Sequence, residues 1–76
     1  MVRYFAGARA AAGTTEEKLD AATLAELVAA VGADRPRLAH VLRACSFLVD
    51  GLAWKDRSAP LPSSATVDVL PPFAGG

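Results

Sequence analysis

The stretch Thr23-Leu24-Ala25-Glu26-Leu27-Val28-Ala29-Ala30-Val31-Gly32 predicts the main helix of the fold. Thr23 and Glu26 have the spacing of a capping box, in which both side chains satisfy free backbone N–H groups at a helix start. Gly32 stands where a left-handed C-terminal cap is expected. The apolar side chains recur at helical spacing and form one stripe: Leu24, Leu27, Val28 and Val31.

A second, shorter helix is expected a few residues later. Asp34 and Pro36 suit a helix start, because Asp caps free N–H groups and proline is tolerated in the first turn. The apolar face of this helix would consist of Leu38, Val41 and Leu42.

Five segments with strand character flank the helices, because they are apolar and β-branched or aromatic, or alternate in polarity. They are Val2–Ala6, Thr14–Asp20, Ser46–Val49, Leu52–Trp54 and Thr66–Leu70. Between two of them, Asp50-Gly51 is the signal of a type I′ turn, in which both residues need positive φ. Ala8–Gly13 is interpreted as a connection of small residues. Lys55–Ser64 is interpreted as a loop that Leu61 pins to the core.

This order of elements predicts an α+β roll, in which a mixed sheet of four to five strands packs on one main helix plus a short helix. The segment Val2–Ala6 is expected to pair in parallel with Thr66–Leu70 at the centre of the sheet, since both carry apolar side chains. Thr14–Asp20 carries several charges and is expected at an edge.

The net charge and the cysteine content of the chain exclude several classes of function. The 76 residues form one small domain, and eight basic and eight acidic residues give a formal net charge of zero. Neither nucleic acid nor an anionic membrane surface is therefore expected as a partner. The single cysteine excludes an internal disulfide, and no signal-peptide or membrane-span pattern is present, so a cytoplasmic location is expected.

The sequence ends in Val67-Asp68-Val69-Leu70-Pro71-Pro72-Phe73-Ala74-Gly75-Gly76. We expect residues 1–70 to form the domain and residues 71–76 an extended tail. Two glycines without Cβ atoms fit a slot too narrow for side chains, and they present the bare α-carboxylate of Gly76. The stiff pair Pro71-Pro72 limits disorder before binding, so less entropy is lost on insertion. Access to such a slot would depend on Pro71, Pro72, Phe73, Ala74 and Gly75.

An apolar docking patch is predicted around the start of this tail. From Ser58 to Gly76 the only charged side chain is Asp68, and a neutral, apolar surface of this kind is typical of protein interfaces. The expected patch residues are Phe5, Trp54, Leu70 and Phe73. For Trp54 a place in the core remains an alternative to an exposed docking role, because Trp suits both.

The other residues with reactive side chains do not predict a catalytic centre or a metal site. Cys45 is expected to be a small buried hydrophobe, and His40 to be solvated or packed. No grouping of His, Cys or carboxylates predicts a metal site or a catalytic centre. Arg9 and Lys55 are either solvated or positioned to pair with acidic groups of a partner.

The chain resembles the small, sulfur-carrier subunits of molybdopterin synthase, which belong to the ubiquitin-like β-grasp family. The ending Val69–Gly76 carries the most specific part of the resemblance, because the proline pair precedes Gly-Gly. Further similarities run along the domain: Val2–Ala6 with Arg9 and Gly13, Thr23–Leu27, Val49–Gly51 and Pro60-Leu61. The chain departs from the family at Ala10, where many members have an acidic residue, and at Ser63–Ala65, where many have a Gly-Asp turn.

The resemblance implies a β-grasp fold and a carrier that is no enzyme on its own and binds no cofactor or metal. An adenylyltransferase of the ubiquitin-activating type would use ATP to adenylate Gly76, and a sulfur donor would convert it to a thiocarboxylate. This group would donate sulfur to cyclic pyranopterin monophosphate in the large subunit of molybdopterin synthase, within a heterotetramer that makes molybdenum cofactor.

Three other functions remain open at this stage. The chain could carry sulfur for thiamine or cysteine synthesis, which also uses a Gly-Gly end. It could be a ubiquitin-like modifier that is joined to lysines of other proteins through Gly76. It could also be an interaction domain with an inert tail.

Overall fold

The computed structural model describes residues 1–72, which contain a five-stranded sheet and three helices. The strands are β1 (Val2–Tyr4), β2 (Glu16–Glu17), β3 (Ser46–Val49), β4 (Leu52–Ala53) and β5 (Val67–Leu70). The helices are α1 (Ala6–Ala12), α2 (Leu24–Gly32) and α3 (Pro36–Leu42). The order of strands across the sheet is β2-β1-β5-β3-β4. This is the predicted β-grasp fold of the ubiquitin-like class.

The parallel pairing of β1 with β5 is confirmed. Val2 lies opposite Val67 and Tyr4 opposite Val69. All four of these side chains are buried, since they face the helices. The charged strand β2 lies at an edge, as its sequence predicts.

The main helix begins as predicted but ends differently. The Thr23 hydroxyl accepts a hydrogen bond from the backbone N–H of Glu26 at 3.2 Å, which is the Thr23 half of the predicted capping box. The Glu26 carboxylate accepts from the Thr23 hydroxyl at 3.3 Å, in place of the predicted bond to a backbone N–H. Gly32, however, is the last helical residue and has no positive φ, so its predicted role as a left-handed cap is wrong. Its role is steric instead, because a Cβ at Gly32 would lie 3.1 Å from the Cβ of Ala39 in α3.

Helix α1 corrects the prediction that Ala8–Gly13 is a connection. Alanine is the best helix former, and five of the seven residues of α1 are alanines. The helix was hidden because small residues give almost no hydrophobic period, and only Ala8 is fully buried.

The tight turn between β3 and β4 is confirmed. Asp50 and Gly51 have φ values of 49° and 84°, as a type I′ turn requires. The Asp50 carboxylate also accepts a hydrogen bond from the backbone N–H of Thr66 at 2.9 Å, which ties the hairpin to the start of β5. Leu61 packs against the core, as expected.

An ion pair joins the ends of three elements. The Arg35 guanidinium donates to Glu17 Oε1 at 2.6 Å, to the carbonyl of Val31 at 2.9 Å and to the carbonyl of Ala12 at 3.2 Å. The hydroxyl of Tyr4 donates to the same Glu17 oxygen at 3.0 Å. We call Tyr4, Glu17 and Arg35 the arginine clasp, because it fastens β2 to the C-terminal ends of α1 and α2.

The arginine clasp should make stability depend on pH. The hydrogen bond from Arg35 lowers the pKa of Glu17 below its ordinary 4.5. A lowered pKa in the folded state gives stability that is present above the unfolded pKa and lost as the pH falls through the folded pKa. We therefore expect wild type to be more stable than Glu17→Gln at neutral pH, with the gap closing as the pH falls below about 4.5. Urea unfolding of both proteins across this pH range measures it, and a gap independent of pH would contradict the assignment.

Candidate functional site

Two of the residues predicted for the patch at the start of the tail, Phe5 and Leu70, lie on the side of the sheet that faces away from the helices. Side chains alternate along strands, so the residues next to the buried valines of β1 and β5 point to this side. We define the outer sheet face as Arg3, Phe5, Leu48, Asp68 and Leu70. The strand registers place them side by side, since Arg3 lies opposite Asp68 in one pair and Leu48 opposite Asp68 in the other.

A bidentate ion pair occupies the centre of the outer sheet face. Arg3 Nε lies 2.6 Å from Asp68 Oδ1, and Arg3 Nη2 lies 2.9 Å from Asp68 Oδ2. Asp68 is only 6% exposed, whereas the Arg3 side chain is 47% exposed. The hydrogen bonds that Arg3 donates to the Asp68 carboxylate raise the pKa of Arg3. The centre of the outer sheet face therefore carries one positive and one negative side chain, and its net charge is zero.

Apolar side chains extend this face toward the tail. The Phe5 backbone N–H donates to the carbonyl of Val69 at 3.3 Å, which holds Phe5 beside the last residues of β5. The Phe5 ring is 39% exposed, and the Arg3 guanidinium lies 5.9 Å from its centroid. Leu70 is half-buried and ends the strand. The structure thus brings together two of the four predicted patch residues, Phe5 and Leu70.

Trp54 lies apart from them. Its backbone N–H donates to the carbonyl of Phe47 at 3.0 Å, and the side chain packs against the core. Phe47 belongs to the helix side of the sheet, so Trp54 lies on the opposite side from Phe5. Its indole Nε1 is buried and has no hydrogen-bond partner among residues 1–72. These contacts favour the alternative in which Trp54 belongs to the core, where it lies at the margin.

Part of the predicted tail can be placed. Pro71 is half-buried and Pro72 is exposed directly after β5. Phe73, Ala74, Gly75 and Gly76 lie outside the described residues, so their predicted roles remain predictions. The same holds for the boundary predicted between residues 70 and 71.

The remaining polar candidates do not form a reaction centre. Cys45 is buried as expected, its thiol donates to the carbonyl of Val41 at 3.2 Å, and burial raises its pKa. His40, Arg9 and Lys55 are exposed. Within residues 1–72, no group of three His, Cys, Asp or Glu side chains could hold a metal ion. None of the three described helices has the length and apolar character needed to cross a membrane.

Two polar features of the structure were absent from the sequence-based predictions. The ion pair of Arg3 with Asp68 joins residues 65 positions apart, and the arginine clasp joins four elements, β1, β2, α1 and α2. A signal for the first existed, because Asp68 is a lone charge within a central, otherwise apolar strand. Such a residue needs a partner of opposite charge or a hydrogen-bond donor.

Solved structures show the same fold over nearly the whole chain. SAMP1 from Haloferax volcanii has 21% identity and a TM-score of 0.81, over 99% of this chain and 96% of that chain. A chain in the complex of subunits 1 and 2 of molybdopterin-converting factor from Helicobacter pylori has 24% identity and a TM-score of 0.74, over 99% and 95%. A putative molybdopterin converting factor subunit 1 from Pyrococcus furiosus has 22% identity and a TM-score of 0.81, over 93% of both chains.

Family membership follows from the sequence as well as from the fold. No curated protein matches the chain significantly. The family model of ThiS, by contrast, matches residues 2–76, which include the Gly-Gly end. The chain therefore belongs to the ThiS family and is a ubiquitin-like sulfur carrier.

Proposed function

We propose that this carrier serves molybdopterin synthase, and that the α-carboxylate of Gly76 is the group that carries sulfur. Loaded as a thiocarboxylate, Gly76 would donate its sulfur to cyclic pyranopterin monophosphate, which is bound by the large subunit. The observation that carries the proposal is the ThiS-family match over residues 2–76, taken together with the proline pair that precedes Gly75-Gly76.

The proposed loading needs two steps, because a carboxylate is a poor electrophile. A carboxylate oxygen of Gly76 first attacks the α-phosphorus of ATP, which forms an acyl adenylate and releases pyrophosphate. A donor at the sulfide level then attacks the acyl carbon, so that a C–S bond forms, the C–O bond to AMP breaks and AMP leaves. The activating enzyme supplies the phosphate binding and the electrostatic stabilisation for both steps.

The chain itself contributes the presentation of the tail. The outer sheet face adjoins Leu70 and Pro71, so a partner that docks on this face meets the tail where it leaves β5. If extended, the six residues 71–76 would span about 20 Å, at roughly 3.3–3.6 Å per residue. That length is sufficient for Gly76 to enter a buried active site of the partner.

The direct test is the intact mass of the chain after incubation with an activating enzyme, ATP and sulfide. Replacement of one oxygen by sulfur adds about 16 Da by atomic mass, and the product should react with thiol-specific alkylating reagents. A chain whose mass is unchanged, under conditions in which a known carrier loads, would contradict the proposal.

A second candidate is conjugation to other proteins. One observation favours it, since a neighbour with the same fold is named small archaeal modifier protein 1. A tagged copy expressed in cells distinguishes the two, because conjugation gives a ladder of heavier bands on a denaturing gel. Carriers of sulfur for thiamine or cysteine synthesis would be distinguished by the precursor that accepts the sulfur.

Phe5 and Trp54, two aromatic residues of the predicted patch, should differ in their effects on partner binding and on stability. We expect Phe5→Ala to weaken binding of the large subunit by about 2 kcal/mol, as truncation of an exposed interface aromatic often does, with little change in melting temperature. Trp54→Ala should do the reverse, because Trp54 packs against the core. Calorimetric titration and thermal unfolding of both variants measure the two effects. An equal loss of affinity in both would place Trp54 in the interface.

A further inference from the structure

Helices α1 and α3 enclose an exposed groove that the proposed function does not use. The groove has a volume of about 590 Å³. Its lining is almost entirely apolar, with two ionisable side chains at its margin, Arg37 and His40. The remaining lining residues are small or aliphatic: Gly7, Ala10, Ala11, Pro36 and Val41.

The charged side chains on these two helices have one sign. Neither helix contains an acidic residue, whereas Arg9 and Arg37 lie on them and Arg43 follows α3 directly. Arg35, just before α3, is already paired with Glu17. In a chain whose formal charge sums to zero, this side is therefore locally basic, and acidic side chains of a partner are favoured there.

The shape of the groove suits a helix. Two helices packed side by side present ridges and a groove but no free strand edge, so an added strand would find no backbone partners. There is free space beside Gly7 in the lining, since a Cβ added there would meet no atom within 4 Å. None of the groove's lining residues belongs to the outer sheet face, so the two surfaces are distinct.

We propose that the α1–α3 groove is a second docking surface, which takes an amphipathic helix with acidic flanks from a protein partner. Apolar side chains of that helix lie between Ala10 and Val41, and one of its carboxylates pairs with Arg37. The proposal is independent of sulfur loading at Gly76. A partner that binds in this groove leaves the outer sheet face and the tail free.

The test uses a fluorescein-labelled peptide of about 14 residues, which a hydrocarbon staple keeps helical because an isolated helix of this length is only marginally stable. Leu residues form one stripe of the helix, and Glu residues lie on both sides of that stripe. A version with Lys in place of Glu and a scrambled version are the peptide controls. We expect the Glu peptide to bind with a Kd in the micromolar range and to shift only amide resonances of residues 7–11 and 36–43. Both controls should bind at least about tenfold more weakly, a difference of about 1.4 kcal/mol.

Variants of the full chain make the test specific. Ala10→Trp fills the groove from an exposed position and should weaken the Glu peptide about tenfold or more, while Ala29→Trp, on the solvent side of α2, should not. Arg37→Glu should reverse the preference from the Glu to the Lys peptide. Equal binding of both peptides, shifts on the outer sheet face, or no binding up to about 1 mM would overturn the proposal. Loading of Gly76 in Ala10→Trp separates this outcome from failure of the proposed function.

Discussion

Deletion of Gly76 is expected to abolish sulfur loading and transfer completely while the domain stays folded. The shortened chain would end in the carboxylate of Gly75, which lies one residue, or about 3.5 Å, short of the adenylation site. The core should be unaffected, because the buried hydrophobic residues of the described part run from Val2 to Val69. Single-turnover formation of the dithiolene product, with purified large subunit and precursor, measures the loss. Thermal unfolding measures the fold.

Two matched variants show whether position or chemistry is responsible. One residue added after Gly76 should block loading as fully as the deletion, since the reactive carboxylate then overshoots the site. Gly75→Ala should leave the carboxylate in place but slow loading or transfer, because its Cβ clashes in a slot shaped for glycine. Activity at the wild-type rate in the Gly76 deletion would refute the carrier mechanism, whatever the partner.

Replacement of Arg35 by methionine should give the largest loss of stability among single changes outside the core. The variant removes one guanidinium that serves Glu17, Ala12 and Val31 together. Two helix-end carbonyls then lose the side-chain donor that Arg35 supplied, and the half-buried Glu17 carboxylate loses its ion-pair partner and keeps the bond from the Tyr4 hydroxyl. We expect a loss of about 2 kcal/mol, which lowers the melting temperature by roughly 8–16 °C in a domain of this size.

Arg43→Met is the matched control for this prediction. Arg43 lies exposed at the other end of α3, and its side chain makes no hydrogen bond within residues 1–72. The same charge is removed, so an effect of net charge alone would appear in both variants. Arg35→Lys should recover little, because an ammonium lacks the planar fork that reaches three acceptors. Equal melting temperatures for Arg35→Met and Arg43→Met would show that the arginine clasp is not stabilising.

The elements predicted correctly from the sequence are those whose signals are local. The cap at Thr23, the Asp50-Gly51 turn and the buried valines of β5 each depend on residues within a few positions of one another. The parallel pairing of β1 with β5 was predictable because two apolar segments must share the centre of a small sheet. The fold followed from these together with the resemblance at Val69–Gly76.

The features that were missed depend on contacts between distant residues. Helix α1 has high helix propensity but almost no apolar period, so its residues indicated a loop. Gly32 ends α2 beside Ala39 for steric reasons that only the packing of α3 reveals. For the site, Phe5 and Trp54 look alike in sequence. Only the strand registers show that they lie on opposite sides of the sheet.

The pairing of β1 with β5 also has a consequence for when the carrier becomes competent. The two strands come from opposite ends of the described chain, so they can pair only when the long segment between them has been ordered. Contacts between residues so far apart in sequence slow folding. Phe5 lies beside Val69 and Leu70 solely in that completed sheet. A partner that binds at this junction therefore binds only chains in which the sheet is complete. We expect incomplete or unfolded chains not to be activated.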